Sequence, residues 1–175
     1  GIGFTFHNDE KEYQDFIKTV CQEKFGRSAR ERKMWSTQIL INIHELGPKF
    51  KQWFGNDATN KHIPKFIFNW SLKNKLSFIL GLLNGDAAWH KRYNFYVGLS
   101  SASKSLIKDT VRLMNESGVG WDNVIKTNKN TGFNRKFQDN LWVNRINLSK
   151  KSYTKMMDVL DSIKVDDEYI GIEVI

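Results

Sequence analysis

One short apolar stretch constrains the fold of this chain more than any other part of the sequence. Its apolar side chains recur at the spacing of one helical face, and they are Leu76, Ile79, Leu80 and Leu83. Gly81 and Gly85 lie four residues apart, so they stack on one side of the helix and allow a second helix to approach its backbone. Asp86 follows directly and places a carboxylate at the end of that helix. The pattern predicts either a helix-pair interface with a cation-binding acid or an ordinary buried amphipathic helix with an incidental Asp.

The nine residues Ile79–Ala87 resemble the LAGLIDADG signature of homing endonucleases, and they match it in register. Asp86 matches the metal-binding acid of that signature, whereas Asn84 replaces its first, non-catalytic Asp and Ala87 replaces its usual Gly. The lead-in Ile63–Asn69 is similar to the segment before the second motif in intein-type (dodecapeptide, DOD-type) members. The resemblance implies an α+β fold of two pseudo-symmetric αββαββα-like halves with antiparallel DNA-reading sheets.

Composition excludes several other classes of protein. The chain has 175 residues, enough for one ordinary domain or two small halves, and its 40% apolar content is too high for a disordered chain. A formal net charge of +8 favours a polyanionic partner, although a merely soluble basic protein could carry the same charge. The single Cys21 rules out an internal disulfide, and no apolar run reaches the roughly 18 residues of a membrane span. We therefore expect an intracellular protein, in the cytoplasm, nucleoid or an organelle, that is not secreted.

The first helix of the chain is predicted between two turn signals. Asn8 or Asp9 is expected to cap its start, and Gly26 is expected to end it. A strand over Ile2–Phe6 precedes this helix, because apolar residues alternate there. The apolar face of the helix is predicted to consist of Phe16, Ile17, Val20 and Phe25.

A basic segment and two further elements follow. Arg27–Lys33 is interpreted as either a solvated turn or the tip of a DNA-reaching hairpin. Met34–Ile43 predicts a strand pair or one long strand, and a second helix is expected over about Pro48–Phe54. Ser71 is the expected cap of the helix that carries the glycines.

After Asp86 the predicted order of elements repeats. A strand is expected over residues 93–97, followed by a helix that Ser103 caps and Gly118 ends. Residues 121–149 predict a long hairpin, and residues 150–163 predict another helix. Shifting the chain by 91 places Phe4 on Phe95, and shifting it by 107 places Ile39 on Ile146. These matches indicate a weak internal duplication.

The duplication and the resemblance together predict three segments. Residues 1–70 form a first half, residues 71–165 form a second half, and residues 166–175 form a tail or the start of a following domain. Asp86 shifted back by 91 falls upstream of Gly1, so the first half is expected to lack its leading helix. The missing motif helix and its acid are expected from another polypeptide segment, from upstream sequence or from a second copy.

The resemblance also implies a reaction. Homing endonucleases hydrolyse phosphodiesters of double-stranded DNA at specific sites with a divalent metal, usually Mg²⁺. The resemblance makes Asp86 the catalytic acid, Asp86 and Gly85 the metal-binding positions, and Gly81 and Gly85 the helix-pair interface. A basic residue near the scissile phosphate usually assists in this family, and the candidates in the second hairpin are Lys126, Lys129 and Arg145.

DNA reading would fall to strand residues, because one face of each strand packs on helices and the other is free for the major groove. Arg and Lys suit guanine there, and Asn and Gln suit adenine. The candidate DNA-binding residues are Arg30, Arg32, Lys33, Gln38, Asn128, Lys129, Arg135, Lys136, Gln138, Asn144 and Arg145. The alternative is that many of these Asn and Lys residues are ordinary surface in a protein from an AT-rich genome.

Two other functions remain open on the sequence alone. The first is a catalytically inactive DNA- or RNA-binding module on the same fold, such as a maturase or a regulator. The second is a structural or protein-binding α+β domain, which would lack salt-sensitive affinity for duplex DNA. If the chain belongs to an intein, we expect it to be the endonuclease part, because Gly1 and the C-terminal residues lack the chemistry of protein splicing.

Overall fold

The computed structural model describes residues 2–92, 94–120, 126–129 and 142–162. The chain divides into two compact units, Gly1–Trp53 (unit 1) and Phe54–Ile175 (unit 2). The candidate residues Arg135, Lys136 and Gln138 and the tail 166–175 lie outside the described residues. No helix in these described ranges is both long enough and apolar enough to cross a membrane.

Unit 1 contains a three-stranded antiparallel sheet in the order β1-β3-β2. Its elements are β1 (Ile2–Phe6), α1 (Lys11–Phe25), β2 (Arg30–Lys33), β3 (Thr37–Ile41) and α2 (Leu46–Phe54). The central strand β3 buries Thr37, Ile39 and Ile41, which alternate with partly exposed residues. Because strand side chains alternate between faces, these three residues define the covered face of the sheet, against which α1 packs.

Helix α1 departs from the prediction in both its start and its buried face. Its N-cap residue is Glu10, whose carboxylate accepts from the backbone N–H of His7 at 2.7 Å. The fully buried residues of the described helix are Gln14 and Cys21, whereas Phe16 is half exposed. Gln14 can occupy an interior position because its amide donates to the backbone carbonyl of His7 at 2.9 Å.

The end of α1 follows the prediction, and Asn8 has another task than capping. Gly26 ends the helix in the left-handed conformation, with φ of 60°, as a glycine after a helix commonly does. Asn8 accepts from the Thr37 hydroxyl at 2.8 Å and donates to the carbonyl of Met34 at 3.4 Å. The expected cap of α1 therefore instead ties the β2–β3 turn to the loop after β1.

Unit 2 has the element order αββαββα and a four-stranded antiparallel sheet in the order β4-β5-β7-β6. Its elements are a 3-10 helix (Lys65–Asn69), α3 (Leu72–Asp86), β4 (Ala87–His90), β5 (Phe95–Ser101), α4 (Lys104–Glu116), β6 (Lys126–Lys129), β7 (Trp142–Asn147) and α5 (Lys150–Ser162). This order confirms the predicted α+β class and the predicted plan of a complete half. The resemblance implied two strands after the motif helix, but the residue pattern located only the one near residues 93–97, so the position of β4 was not predicted.

The caps predicted for unit 2 are confirmed. Ser71 accepts from the backbone N–H of Asn74 at 3.3 Å at the start of α3. Ser103 accepts from the backbone N–H of Leu106 at 3.2 Å, and its hydroxyl also donates to the carbonyl of Lys61. Gly118, just after α4, has φ of 72°, a value that favours glycine.

The core of unit 2 also includes the segment before α3. Its buried apolar residues come from both helices and strands and include Leu76, Ile79, Leu83, Leu99, Ile107, Leu113, Met114, Ile146 and Met156. Ile63 and Ile67 join this cluster, and the N–H of Ile63 donates to the Asp109 carboxylate at 3.1 Å. Residues 54–70, which sequence analysis grouped with the first half, therefore pack in unit 2.

The two units repeat one topology, because β1-β3-β2 and β5-β7-β6 have the same strand order with a helix after the first strand. Phe4 pairs with Ile39, and Leu99 pairs with Ile146. If Ile39 corresponds to Ile146, then Phe4 corresponds to Leu99, a shift of 99 − 4 = 95 rather than the expected 91. Hydrophobic alternation has a period of two, so it fits both shifts and does not fix the register.

Candidate active site and nucleic-acid interface

Helix α3 ends at Asp86 without a loop. Asp86 is its last residue and is exposed, and Ala87 directly adopts an extended conformation with φ of −90° and ψ of 149°. The backbone N–H of Ala87 still bonds to the carbonyl of Leu83, while Ala87 already pairs with Leu99 in the sheet. Asp86 therefore lies at a direct junction between α3 and β4, whose backbone is hydrogen-bonded on both sides.

The face of α3 that carries the two glycines is open. Gly81 and Gly85 are exposed, and a Cβ atom placed on either of them meets no atom of another described residue within 4 Å. The other side of the helix buries Leu76, Ile79 and Leu83. Helix α3 thus has one face committed to the core and one face without side-chain bulk.

A hydrogen bond and aromatic packing fix the last turn of α3. The Tyr96 hydroxyl donates to the side-chain oxygen of Asn84. Trp89 packs edge-on against Tyr96 with ring centroids 4.7 Å apart, and Tyr153 lies 5.9 Å from Tyr96. The β4–β5 register shifts between Ala88 and Trp89. Sequence reasoning missed this role of Tyr96, for which the only signal was the aromatic content of residues 89–96.

Arg145 lies on the face of the unit 2 sheet that is not covered by helices. It is exposed and pairs with the exposed Ser100. The neighbouring Gly98 leaves room for it, because a Cβ on Gly98 would come within 3.2 Å of the Arg145 Nε. Leu99 and Ile146, which alternate with these residues, are buried in the core. The guanidinium is available to a ligand on the open face.

Asn144 has a different environment from its neighbour Arg145. Its side chain is 3% exposed on the covered face, and its amide donates to the carbonyls of Ser101 and Ala102 at 3.4 and 3.3 Å. Because Asn144 is buried and its amide is bonded to two backbone carbonyls, we do not include it in the candidate interface.

The other candidates of unit 2 are placed by strand register alone. In β6, Lys126 pairs with Arg145, Asn128 with Val143, and Lys129 with Trp142. The structure therefore brings the backbone of two candidate basic residues, Lys126 and Arg145, directly opposite each other.

In unit 1 the candidates divide between the two faces of the sheet. Arg30 pairs with Leu40 and Arg32 pairs with Gln38, so these residues share the face opposite the buried Thr37 and Ile39. Both arginines are exposed, and Gln38 is partly buried. Arg30, Arg32 and Gln38 therefore form a polar, cationic surface on the uncovered face.

Lys33 lies on the covered face, beside Glu31. The Glu31 carboxylate contacts the Lys18 ammonium at 2.7 Å and the Lys33 ammonium at 3.1 Å. Hydrogen bonds from Lys18 and then Lys33 lower the pKa of Glu31 from its usual value of 4.5 to about 2. Lys33 thus already has an anionic partner within the chain.

The donor set at the end of α3 suits a magnesium ion shared with substrate. Among the described residues, no group of three or more His, Cys, Asp or Glu side chains could hold a metal by itself. Mg²⁺ typically binds one or two carboxylates and fills its remaining positions with water and phosphate oxygens. The single exposed carboxylate of Asp86 suits this kind of Mg²⁺ coordination, and it does not suit a metal site whose ligands all come from the protein.

Comparisons with known proteins give two sequence relatives. No family model matches the chain. It is 34% identical over 107 residues to a replication factor C small subunit of Methanocaldococcus jannaschii, and 31% identical over 113 residues to a DNA polymerase of Thermococcus kodakarensis. These alignments cover 61% and 65% of this chain, but the chain spans only 6% of the length of either relative.

Solved structures with a similar fold include mesophilic variants of the homing endonuclease I-DmoI and an I-DmoI variant in complex with its target DNA in the presence of Mg. Both have a TM-score of 0.60 and 13% sequence identity over 92% of this chain. The aligned region covers 79% of the first neighbour and 80% of the second. The chain therefore has the fold of the LAGLIDADG homing endonuclease I-DmoI.

Proposed function

We propose that this chain is the DNA-reading and metal-binding part of a site-specific, double-stranded DNA endonuclease. The observation that carries the proposal is the exposed Asp86 at the end of α3, beside an open glycine face, in a chain with a homing-endonuclease fold. An ordinary core helix would have no need of an open face formed by Gly81 and Gly85.

In this proposal Asp86, with the adjoining Gly85, holds Mg²⁺ together with water and phosphate oxygens. The bound metal supplies an activated water and stabilises charge on the phosphate. Lys129 pairs with Trp142, in the register of the covered face, so Lys126, opposite Arg145, is the second basic candidate for the open face. Arg145 offers a planar set of N–H donors to a phosphate there, and Lys126 adds a second cation. Their shared task is to hold the scissile phosphate.

A second helix completes the proposed site. Gly81 and Gly85 permit close approach of another helix, and that helix would bring a second carboxylate. Cutting both strands calls for an acid for each strand, as in other sites that act on phosphates with two metals. The source of the helix is another polypeptide segment or a second copy of the chain.

DNA recognition in this proposal uses the uncovered face of each sheet. Gln38 contacts base edges in unit 1, where Arg30 and Arg32 contact base edges and the adjoining phosphates, and Arg145 contacts a phosphate in unit 2. The remaining candidates predicted from the sequence are Asn128, in β6, and Arg135, Lys136 and Gln138, which lie outside the described residues. Arg and Gln can distinguish guanine and adenine by bidentate hydrogen bonds in the major groove.

We further propose that the chain is the endonuclease part of an intein. Its two sequence relatives have different names, and each resembles it over only 6% of its own length. An element inserted into different host proteins would produce this pattern. The similarity of Ile63–Asn69 to the lead-in of intein-type members supports the same origin.

The test is a cleavage selection on a plasmid library with randomised inserts. With Mg²⁺, the wild-type chain and its partner helix should generate recurrent DNA ends, and Asp86→Asn should abolish them while duplex affinity is retained. Asp158→Asn, an exposed Asp on α5, is the matched control and should cut normally. Metal-dependent cleavage by the Asp86→Asn protein would overturn the role of Asp86. Binding of DNA without cleavage by the wild-type protein would favour an inactive DNA- or RNA-binding module.

A further inference from the structure

The turn between β2 and β3 carries a tryptophan that does not contribute to the core. Trp35 is 96% exposed, and the adjacent Met34 is 55% exposed. By comparison, the other tryptophans whose burial is described are each at least partly covered, and the most exposed of them is Trp89 at 42%. Folding of unit 1 therefore gains little from an indole at this position.

The backbone of this turn is held without help from Trp35. The N–H of Met34 donates to the carbonyl of Ser36 at 3.0 Å, and Asn8 donates to the carbonyl of Met34 at 3.4 Å. Asn8 is in turn fixed by the buried Thr37, whose hydroxyl donates to it at 2.8 Å. The exposed indole is thus carried on an anchored turn, so ordering that turn on binding costs little entropy.

The charge around the turn indicates what could cover the indole. The loop that contacts the turn through Asn8 carries Asp9 and Glu10. Within the hairpin itself, the segment from Arg27 to Gln38 contains four cations, Arg27, Arg30, Arg32 and Lys33, against one carboxylate. That carboxylate, Glu31, is already paired with Lys18 and Lys33. A polyanion would be attracted to this hairpin, whereas a basic or strictly apolar partner surface would leave the arginines without partners.

We propose that Trp35 is a base-contacting wedge, whose indole enters a groove of duplex DNA and stacks against a base step. The inference rests on the proposed function, because it assigns a further contact to the DNA surface of unit 1. Apolar side chains inserted between base steps partly unstack them and bend the duplex. The arginines of the hairpin hold the flanking phosphates, and Trp35 supplies an apolar contact that is independent of their charge.

The experiment measures the affinity of the full chain for a short, labelled, mixed-sequence duplex by fluorescence anisotropy at several salt concentrations. Trp35→Ala should weaken binding by about five- to 150-fold, the range expected for loss of one aromatic–base stack. The salt dependence should stay as in the wild-type protein, because the substitution changes no charge. Trp35→Phe should recover most of the affinity, and Tyr13→Ala, which removes an exposed aromatic ring from α1, should have no effect.

Tryptophan emission gives a second readout. The part of the emission that Trp35→Phe removes should be quenched when the wild-type chain binds the duplex. Unchanged affinity of Trp35→Ala together with no quenching would overturn the wedge, while the salt-sensitive binding of the wild-type chain would leave the proposed function standing. A wild-type chain without affinity for any DNA would overturn both. A loss of self-association in Trp35→Ala with unchanged DNA affinity would also overturn the wedge and would make Trp35 a contact between copies.

Discussion

At the scale of single residues, Glu31 organises the charge on the covered side of the unit 1 sheet. Its carboxylate contacts two ammonium groups, those of Lys18 and Lys33. Lys18 reaches it from α1, so the pair links the helix to the edge strand β2. Lys33 is therefore paired within the chain. Arg30 and Arg32, by contrast, lie on the face of the hairpin that points away from α1.

The depressed pKa of Glu31 makes the stability of unit 1 depend on pH. Because the folded pKa, about 2, lies below the usual value of 4.5, the ion pairs stabilise the fold fully above about pH 4.5 and lose this effect as the pH falls towards 2. Glu31→Gln should therefore lower the melting temperature at neutral pH, and the difference from wild type should vanish near about pH 2. Thermal unfolding followed by circular dichroism across this range checks the prediction.

The matched control is Glu23→Gln, which removes an exposed carboxylate of α1 that has no ion pair among the described residues. It should change the melting temperature little and without this pH profile. A difference between Glu31→Gln and wild type that persists unchanged in acid would contradict the prediction.

Arg145 and Asn144 show what sequence could not decide at this scale. Both residues were candidates for DNA contact, since both side chains suit base edges. Strand alternation puts adjacent residues on opposite faces, so at most one of them could face the groove. Which one depends on the pairing of Ile146 with Leu99, a contact between residues 47 positions apart (146 − 99) that no local pattern encodes.

At the scale of elements, one face of α3 is packed in the core and the other is exposed. One face is apolar and fully packed, and its residues were predicted from their spacing. The opposite face carries Gly81 and Gly85, which lower the intrinsic stability of a helix. Within the described part of the chain, no neighbouring atom lies close enough to either position to require a glycine there. The cost in helix stability is therefore not explained by packing inside this chain.

Gly81→Ala should therefore separate stability from function. In the chain itself the substitution should stabilise the fold by about 0.5–1 kcal/mol, because alanine favours the helix and its Cβ meets open space. Under the proposed function it should also impair cleavage, because the added methyl group would keep the partner helix away. Chemical denaturation and the cleavage selection measure the two effects.

A suitable control is Asn74→Ala, which replaces a partly buried residue at the start of the same helix, two turns before Gly81. It should leave cleavage intact. If Gly81→Ala raised the stability and cut DNA as well as the wild-type protein, close helix approach at this face would be excluded.

Strand β4 is the element that the sequence did not reveal. It has only four residues, Ala87–His90, and two of them are alanines, which favour helices. Its extended conformation comes from pairing with β5, a tertiary contact. The capping residues Ser71 and Ser103 were predictable because their hydrogen bonds are local.

At the scale of the whole molecule, the two sheets present their charge in the same way. The chain shares the I-DmoI fold although only 13% of the aligned residues are identical. Both sheets have one face covered by helices and one face with exposed arginine. A net charge of +8 adds a long-range attraction to polyanions.

Affinity for duplex DNA should consequently fall steeply with salt. Each phosphate contact adds about 0.9 to the slope of log affinity against log salt, so Arg32→Ala should reduce that slope by about 1. Lys33→Ala, next in sequence but on the other face and paired with Glu31, should reduce it much less. Anisotropy titrations at four or more salt concentrations provide the slopes, and equal effects of the two substitutions would contradict the assignment of faces.

The repeat of strand order in the two units was predictable only in outline. Hydrophobic matches indicated it, but they gave a shift of 91 for the first strand where the paired residues give 95. The unit boundary was also displaced, because Ile63 and Ile67 pack with residues far ahead in the chain. Both differences arise from contacts between distant segments.

The direct passage of α3 into β4 has a consequence for how such a protein can change its target. Asp86 and the residues of β4 lie on one continuous backbone, so a substitution that shifts this strand on a new DNA sequence also shifts the acid. Arg32 lies on a strand of the other sheet, 54 residues earlier in the chain (86 − 32), and can be replaced without moving Asp86. Under the proposed function, new specificities would therefore evolve more readily through β2 than through β4, and β4 would be the conservative part of the reading surface.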